Sequence, residues 1–179
     1  MSSREKTPDF TFKILLLGDP FTGKTSLVNR YVKNSFTKSY LHTIGMEPST
    51  RIEKMGKTTV ALQMYDIAGD KNFERLRTMF YKGSRGGLIV FDLTRKATFE
   101  STEKWLKEAV DTSGGGYYML IGNKSDLTNQ REVAKADGKK FAKDHGFQEY
   151  IETSALTGEF VKDAFLSLAK LIMKKSQGK

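Results

Sequence analysis

The chain has 179 residues and a mass of 20.2 kDa, with 38% hydrophobic and 28% charged residues, no cysteine and a formal net charge of +9. That length supports one well-buried core and is short for two domains, and the lack of cysteine excludes a disulfide framework, a thiolate nucleophile and a cysteine zinc site. No apolar run is long enough to span a bilayer and the opening MSSREKTPDF holds no apolar signal segment, so a globule of the cytoplasm, or one peripheral to a membrane, is expected.

In chain order, residues 1–9 are polar and are expected to be loose, residues 10–174 to form the domain, and 175–179 to be loose again. FKILLLG (12–18) is a short apolar run of the kind found in strands covered on both faces, and a helical pattern follows over 24–33. Residues 49–66 read as a hairpin around KMGKT. GGLIVFDL (86–93) and YYMLIGN (117–123) are two more buried strands, helices are expected over 98–110 and 131–145, and EYIETSA supplies the last strand. The final helix, 159–173, carries Phe160, Ala164, Phe165, Leu168, Leu171 and Ile172 on one stripe. Alternating strands and helices predict an α/β fold with a mainly parallel sheet and a ligand at the carboxyl ends of the strands. The lysines are scattered along helix faces, as at Lys135, Lys139, Lys140 and Lys143, and read as solvated surface more readily than as a nucleic-acid stripe.

Five stretches carry chemistry, and the first is GDPFTGKT (18–25), which fits Gly-x-x-x-x-Gly-Lys-Ser/Thr at a strand-to-helix junction. Its glycines let backbone N–H groups wrap phosphates, Lys24 reaches the β and γ phosphates, and the Thr25 hydroxyl can ligate Mg²⁺. A glycine-rich turn without a ligand has no use for that lysine. DIAG (66–69) ends a strand, where Asp66 can hold the metal through water and Gly69 can bring its N–H to a γ phosphate. NKSD (123–126) offers Asp126 as an acceptor for guanine's ring N–H and exocyclic amine, with Asn123 holding the loop, and TSAL (153–156) offers the Ala155 N–H to the guanine oxygen.

With YLHTIG (40–45) in place between them, these motifs and the phrase YKGSRGGLIVFDLTRKATFESTEKW make the chain resemble the Ras superfamily of small GTPases, most closely the Rab family, over residues 11–173. The resemblance implies a P-loop NTPase three-layer sandwich: a six-stranded sheet, mainly parallel with one antiparallel edge strand, and about five helices. It implies a GTP/GDP switch that hydrolyses GTP, with Mg²⁺ held by Thr25, Thr43 and Asp66. Nucleotide contacts would come from Asp19, Pro20, Phe21, Thr22, Gly23, Lys24, Thr25 and Ser26, from Phe36 and Tyr40, and from Thr43 and Gly69. The base would be met by Asn123, Lys124, Asp126, Ser154, Ala155 and Leu156. Lys24, Thr43, Gly69 and Asp70 stand at the catalytic positions, and the mobile loops are expected around 36–46 and 66–80.

Four departures from the family carry consequences. Asp70 stands where the family has its water-positioning glutamine. An aspartate is shorter, cannot donate when ionised and brings negative charge to negative oxygens, so intrinsic hydrolysis is expected to be slow. A GTP-binding scaffold with little hydrolysis is the alternative reading. Pro20 replaces a small residue and changes the room beside the γ phosphate; Leu156 replaces a lysine. Of the aromatic triad that reads effectors, which maps to Pro48, Tyr65 and Phe80, the first two are usually Phe and Trp in the family, so only the third is well kept. Trp105 reads as helix packing. Expected partners are an exchange factor, a GTPase-activating protein and effectors, with the chain monomeric. No nucleic acid and no stable membrane anchor are expected, since Rab tails carry prenylated cysteines and this sequence contains none.

Overall fold

A computed structural model describes residues 7–38 and 43–177, with side chains to Ser176. The elements run β1 (Phe10–Leu17), α1 (Lys24–Lys33), β2 (Met46–Met55), β3 (Thr58–Ile67), α2 (Glu74–Tyr81), β4 (Gly86–Asp92), α3 (Lys96–Glu100), α4 (Thr102–Ser113), β5 (Tyr117–Asn123), α5 (Lys135–Asp144), β6 (Tyr150–Thr153) and α6 (Val161–Gln177). Among the described residues, α3 and α4 form one helical arm broken at Ser101, so the helices number five if that arm is taken as one.

The sheet order is β2-β3-β1-β4-β5-β6, with β2 antiparallel to β3 and every other pairing parallel. Strand periodicity divides the core in two. Ile14 and Leu16 face one way, with Leu62, Leu88 and Ile121, against Leu27 and Tyr31 of α1 and Phe165 and Leu168 of α6. Leu15 and Leu17 face the other way, with Ile89 and Leu120, against Trp105 and Ala109 of α4 and Ala142 of α5. The helices on both faces explain why the central strands read as unbroken apolar runs.

Helix α1 has the bounds expected from the sequence, but three other expectations change. The last helix runs on through Gln177, so the loose end expected from 175 is helical there. Asp9, expected in a loose terminus, pairs with Thr59: its N–H donates to the Thr59 carbonyl at 2.8 Å, and the Thr59 N–H donates to Asp9 Oδ2 at 2.6 Å. The segment expected as one mobile loop over 66–80 contains a 3₁₀ turn, Lys71–Phe73, followed by α2, whose inward face is Arg77 and Tyr81. The parallel strands end on one edge of the sheet, where the loops 18–23, 68–73, 124–127 and 154–158 converge.

Candidate functional site

The phosphate loop wraps the start of α1. Lys24 Nζ donates to the carbonyls of Gly18 at 2.8 Å and Asp19 at 2.9 Å, arching back over its own loop. Burial pushes its ammonium down to about 8, against the pull of Asp66 and Asp19, and a bound anion would favour the charged form. Helix α1 begins at Gly23 with no side-chain cap and no acidic residue in its first turn, leaving its leading N–H groups for an anion. Gly23 is obligatory: its φ is 95°, and a Cβ there would lie 2.2 Å from Asn123 Nδ2. A cavity of about 350 Å³ opens over this loop, lined by Phe21, Lys24, Thr25, Ser26, Thr43 and Asp70 among others.

Residues expected to bind metal meet at that cavity's wall, which Thr25 and Thr43 line, with Asp66 buried against them. Thr25 Oγ1 lies 2.8 Å from Thr43 Oγ1 and donates to Asp66 Oδ2 at 2.5 Å, while Thr43 Oγ1 is 3.4 Å from the same carboxylate oxygen. Asp66 Oδ1 is buried with no hydrogen-bond partner. Burial raises the Asp66 carboxyl above its ordinary range, although Thr25 and Lys24 oppose the shift. An all-oxygen donor set around an orphaned carboxylate oxygen suits a hard divalent cation such as Mg²⁺.

A second cavity, about 240 Å³, adjoins the first at Gly23 and Ser26 and is lined by Phe36, Lys124, Asp126, Leu127 and Leu156. Asn123, 1% exposed, ties three loops together. Its amide donates to the Thr22 carbonyl at 2.9 Å, and its Oδ1 accepts from Thr153 Oγ1 at 3.2 Å and the Ala155 N–H at 3.3 Å. The Ala155 N–H expected to meet a base thus leans on Asn123 through a long bond. Ser154 Oγ donates to Asp126 Oδ1 at 2.6 Å and aims that carboxylate. Lys124, with φ 70°, sends Nζ to Asp92 Oδ2 at 2.7 Å. Tyr40 lies outside the described residues.

The carboxylates of Asp70 and Asp19 both make hydrogen bonds within the protein. Oδ1 of Asp70 accepts from the Asn72 N–H at 2.8 Å, capping the turn Lys71–Phe73. The Asp19 carboxylate turns away from the cavity, accepting from Trp105 Nε1 at 2.8 Å and Ser101 Oγ at 2.5 Å. Trp105 is buried in the core as expected, and holds the phosphate loop as well. Phe21 occupies the left-handed region at φ 64°, a conformation unusual for a bulky residue, on the rim of the phosphate cavity. Pro48 and Tyr65 are register partners across β2 and β3, and Tyr65 and Phe80 pack on one core cluster.

Three arginines that sequence reasoning missed brace these loops. Arg30 donates to the carbonyls of Ala155 at 2.9 Å and Leu156 at 2.6 Å. Arg95 bridges Asp92 Oδ2 at 3.0 Å and the Pro20 carbonyl at 3.0 Å. Arg77 reaches the Asp70 carbonyl at 3.3 Å. Their partners lie 75 or more residues away except within the short Asp92 and Asp70 contacts, so motif spacing carries no sign of them.

The family model described as the Ras family matches residues 13–174. The chain is 38% identical over 171 residues to Ras-related protein Rab-4B of Homo sapiens, covering 95% of this chain and 80% of that protein. It is 41% identical over 165 residues to Ras-related protein Rab-11B of Dictyostelium discoideum, covering 92% and 74%. Ras-related protein Rab-13 of Canis lupus familiaris is 37% identical over 175 residues, covering 97% and 86%.

Proposed function

The chain belongs to the Ras family of small GTPases, close to the Rab proteins, and from that premise we propose that it is a Mg²⁺-dependent GTP/GDP switch of membrane traffic whose own hydrolysis is slow. The observation that carries this reading is a single continuous site: a desolvated lysine over free helix N–H groups, a cluster of two hydroxyls and a carboxylate, and a carboxylate aimed by a serine into an adjoining cavity.

In this reading Lys24 and the leading N–H groups of α1 bind the β and γ phosphates, and Gly69 offers its N–H to the γ phosphate. Thr25, Thr43 and Asp66 would hold Mg²⁺, which when bound neutralises charge on the β and γ phosphate oxygens. Asp126 accepts from guanine's ring N–H and amine while Phe36 packs on the base; adenine offers no matching donor pair. The change between nucleotides is delivered to an exchange factor, an activating protein and effectors through the segments 36–46 and 66–80.

Slow hydrolysis follows from Asp70. Its side chain is engaged in capping and lacks the amide N–H that a glutamine would offer a transferring phosphoryl group, so water is left without the residue that would orient it. The same observation favours the second reading, a GTP-binding scaffold with little hydrolysis. Single-turnover GTP hydrolysis with Mg²⁺ separates them: the switch reading expects a low but measurable rate that rises about tenfold or more in Asp70→Gln. No turnover in either protein, with GTP bound, would establish the scaffold instead.

A further inference from the structure

Gly69 and Arg77 take part in a closed ring of contacts between the segment after β3 and the phosphate loop. A Cβ on Gly69 would lie 2.4 Å from the Gly18 carbonyl oxygen and 2.7 Å from both the Asp19 carbonyl carbon and the Pro20 nitrogen, so the two backbones touch. One residue on, the Asp70 carbonyl accepts from Arg77 Nη1 at 3.3 Å. The guanidinium of Arg77 lies 4.4 Å from the centre of the Trp105 ring. The indole N–H of Trp105 then returns to the phosphate loop at Asp19 Oδ1, 2.8 Å away.

Arg77 is held firmly enough for this task. Its side chain is 4% exposed, and it forks onto both oxygens of Glu108 at 2.7 and 2.9 Å, with the Tyr81 hydroxyl donating to Oε1 at 2.8 Å. Burial would raise the Glu108 carboxyl, but the bonds from Arg77 and Tyr81 outweigh it and keep the group below its ordinary range, ionised at neutral pH. Neutralising a buried guanidinium needs Glu108 alone. The added contacts to the indole face and the Asp70 carbonyl fix where the cation stands between the two loops.

We propose that Arg77 and Trp105 are a positioning pair that, by way of the Asp70 carbonyl, holds the Gly69–Asp70 segment against the phosphate loop, presetting the Gly69 N–H for the third phosphate and so favouring GTP over GDP. The inference rests on the GTP/GDP reading above. GDP places no atom opposite Gly69, so the ring bears on the affinity ratio of the two nucleotides and not on nucleotide binding in general.

The test uses the full chain with Mg²⁺, measuring dissociation constants for GDP and a non-hydrolysable GTP analogue in the wild type, Arg77→Lys, Trp105→Phe and the double variant. Lysine keeps the charge and loses the fork; phenylalanine keeps a ring and loses the N–H, so both should fold. Each single variant is expected to lower the analogue-to-GDP affinity ratio about five- to tenfold. The double variant should fall no further than the worse single, because a ring is opened by one break. An unchanged ratio in both singles, a double effect equal to the product of the singles, or a parallel loss of both affinities would overturn the proposal. A wild type that binds neither nucleotide would overturn the functional reading beneath it.

Discussion

Replacing Gly69 by alanine should separate the two nucleotide states. The new Cβ would lie 2.4 Å from the Gly18 carbonyl oxygen, with two further phosphate-loop backbone atoms at 2.7 Å. None of the three is the end of a flexible side chain, so relief requires the backbones to part by about 1 Å, the distance to an ordinary contact. An N–H···O bond of about 2.9 Å lengthened by that amount is lost. A hydrogen bond to a charged phosphate contributes about 1.5–3 kcal/mol, which is roughly ten- to a hundredfold in affinity. Titration with a fluorescent guanine nucleotide, displaced by GDP or by a non-hydrolysable GTP analogue, should show that loss for the analogue with GDP affinity held within about twofold. Equal loss for both nucleotides, or no loss for either, would refute the assignment of Gly69 to the third phosphate.

Asp126→Asn should weaken guanine nucleotides and admit xanthine nucleotides, whose 2-oxo group needs a donor; competition binding with the two diphosphates checks it, and unchanged guanine preference would remove Asp126 from the base site. Stability should decline in acid partly through Glu152. Burial tends to raise its carboxyl, but the bonds from Arg131 at 2.8 Å and Tyr150 at 2.8 Å leave it below its ordinary 4.5. A carboxyl depressed in the folded state contributes stability above its unfolded value, and that contribution is lost as pH falls through the folded one. In chemical unfolding, wild type and Glu152→Gln should therefore differ at pH 7 and converge well below pH 4.5; a gap that stays constant with pH would contradict the sign.

Much of the site was legible because its chemistry is local. Phosphate wrapping needs glycines, a lysine and a hydroxyl at fixed offsets on one turn, so GDPFTGKT announced both the loop and its ligand class. The central strands were legible because helices cover both their faces, which removes polar alternation from the sequence. Helix α2 was not: its inward face is an arginine and a tyrosine satisfied by Glu108, so no apolar stripe marks it. Asp70 could have been read more fully, since an aspartate two residues before a backbone N–H in a polar turn is a local capping signal. The bond from Trp105 to Asp19 joins residues 86 apart in sequence, and only the packed fold brings them together.

The central claim is that this cavity selects guanine nucleotides. Equilibrium binding of GDP, GTP and ATP to the wild-type chain with Mg²⁺ tests it most directly, because Asp126 held by Ser154 matches two guanine donors that adenine lacks. The account predicts that GDP and GTP bind more tightly than ATP by about a thousandfold or more, the discrimination expected where a buried polar group would be left unpaired. Comparable affinity for ATP, or no binding of GDP at all, would contradict it.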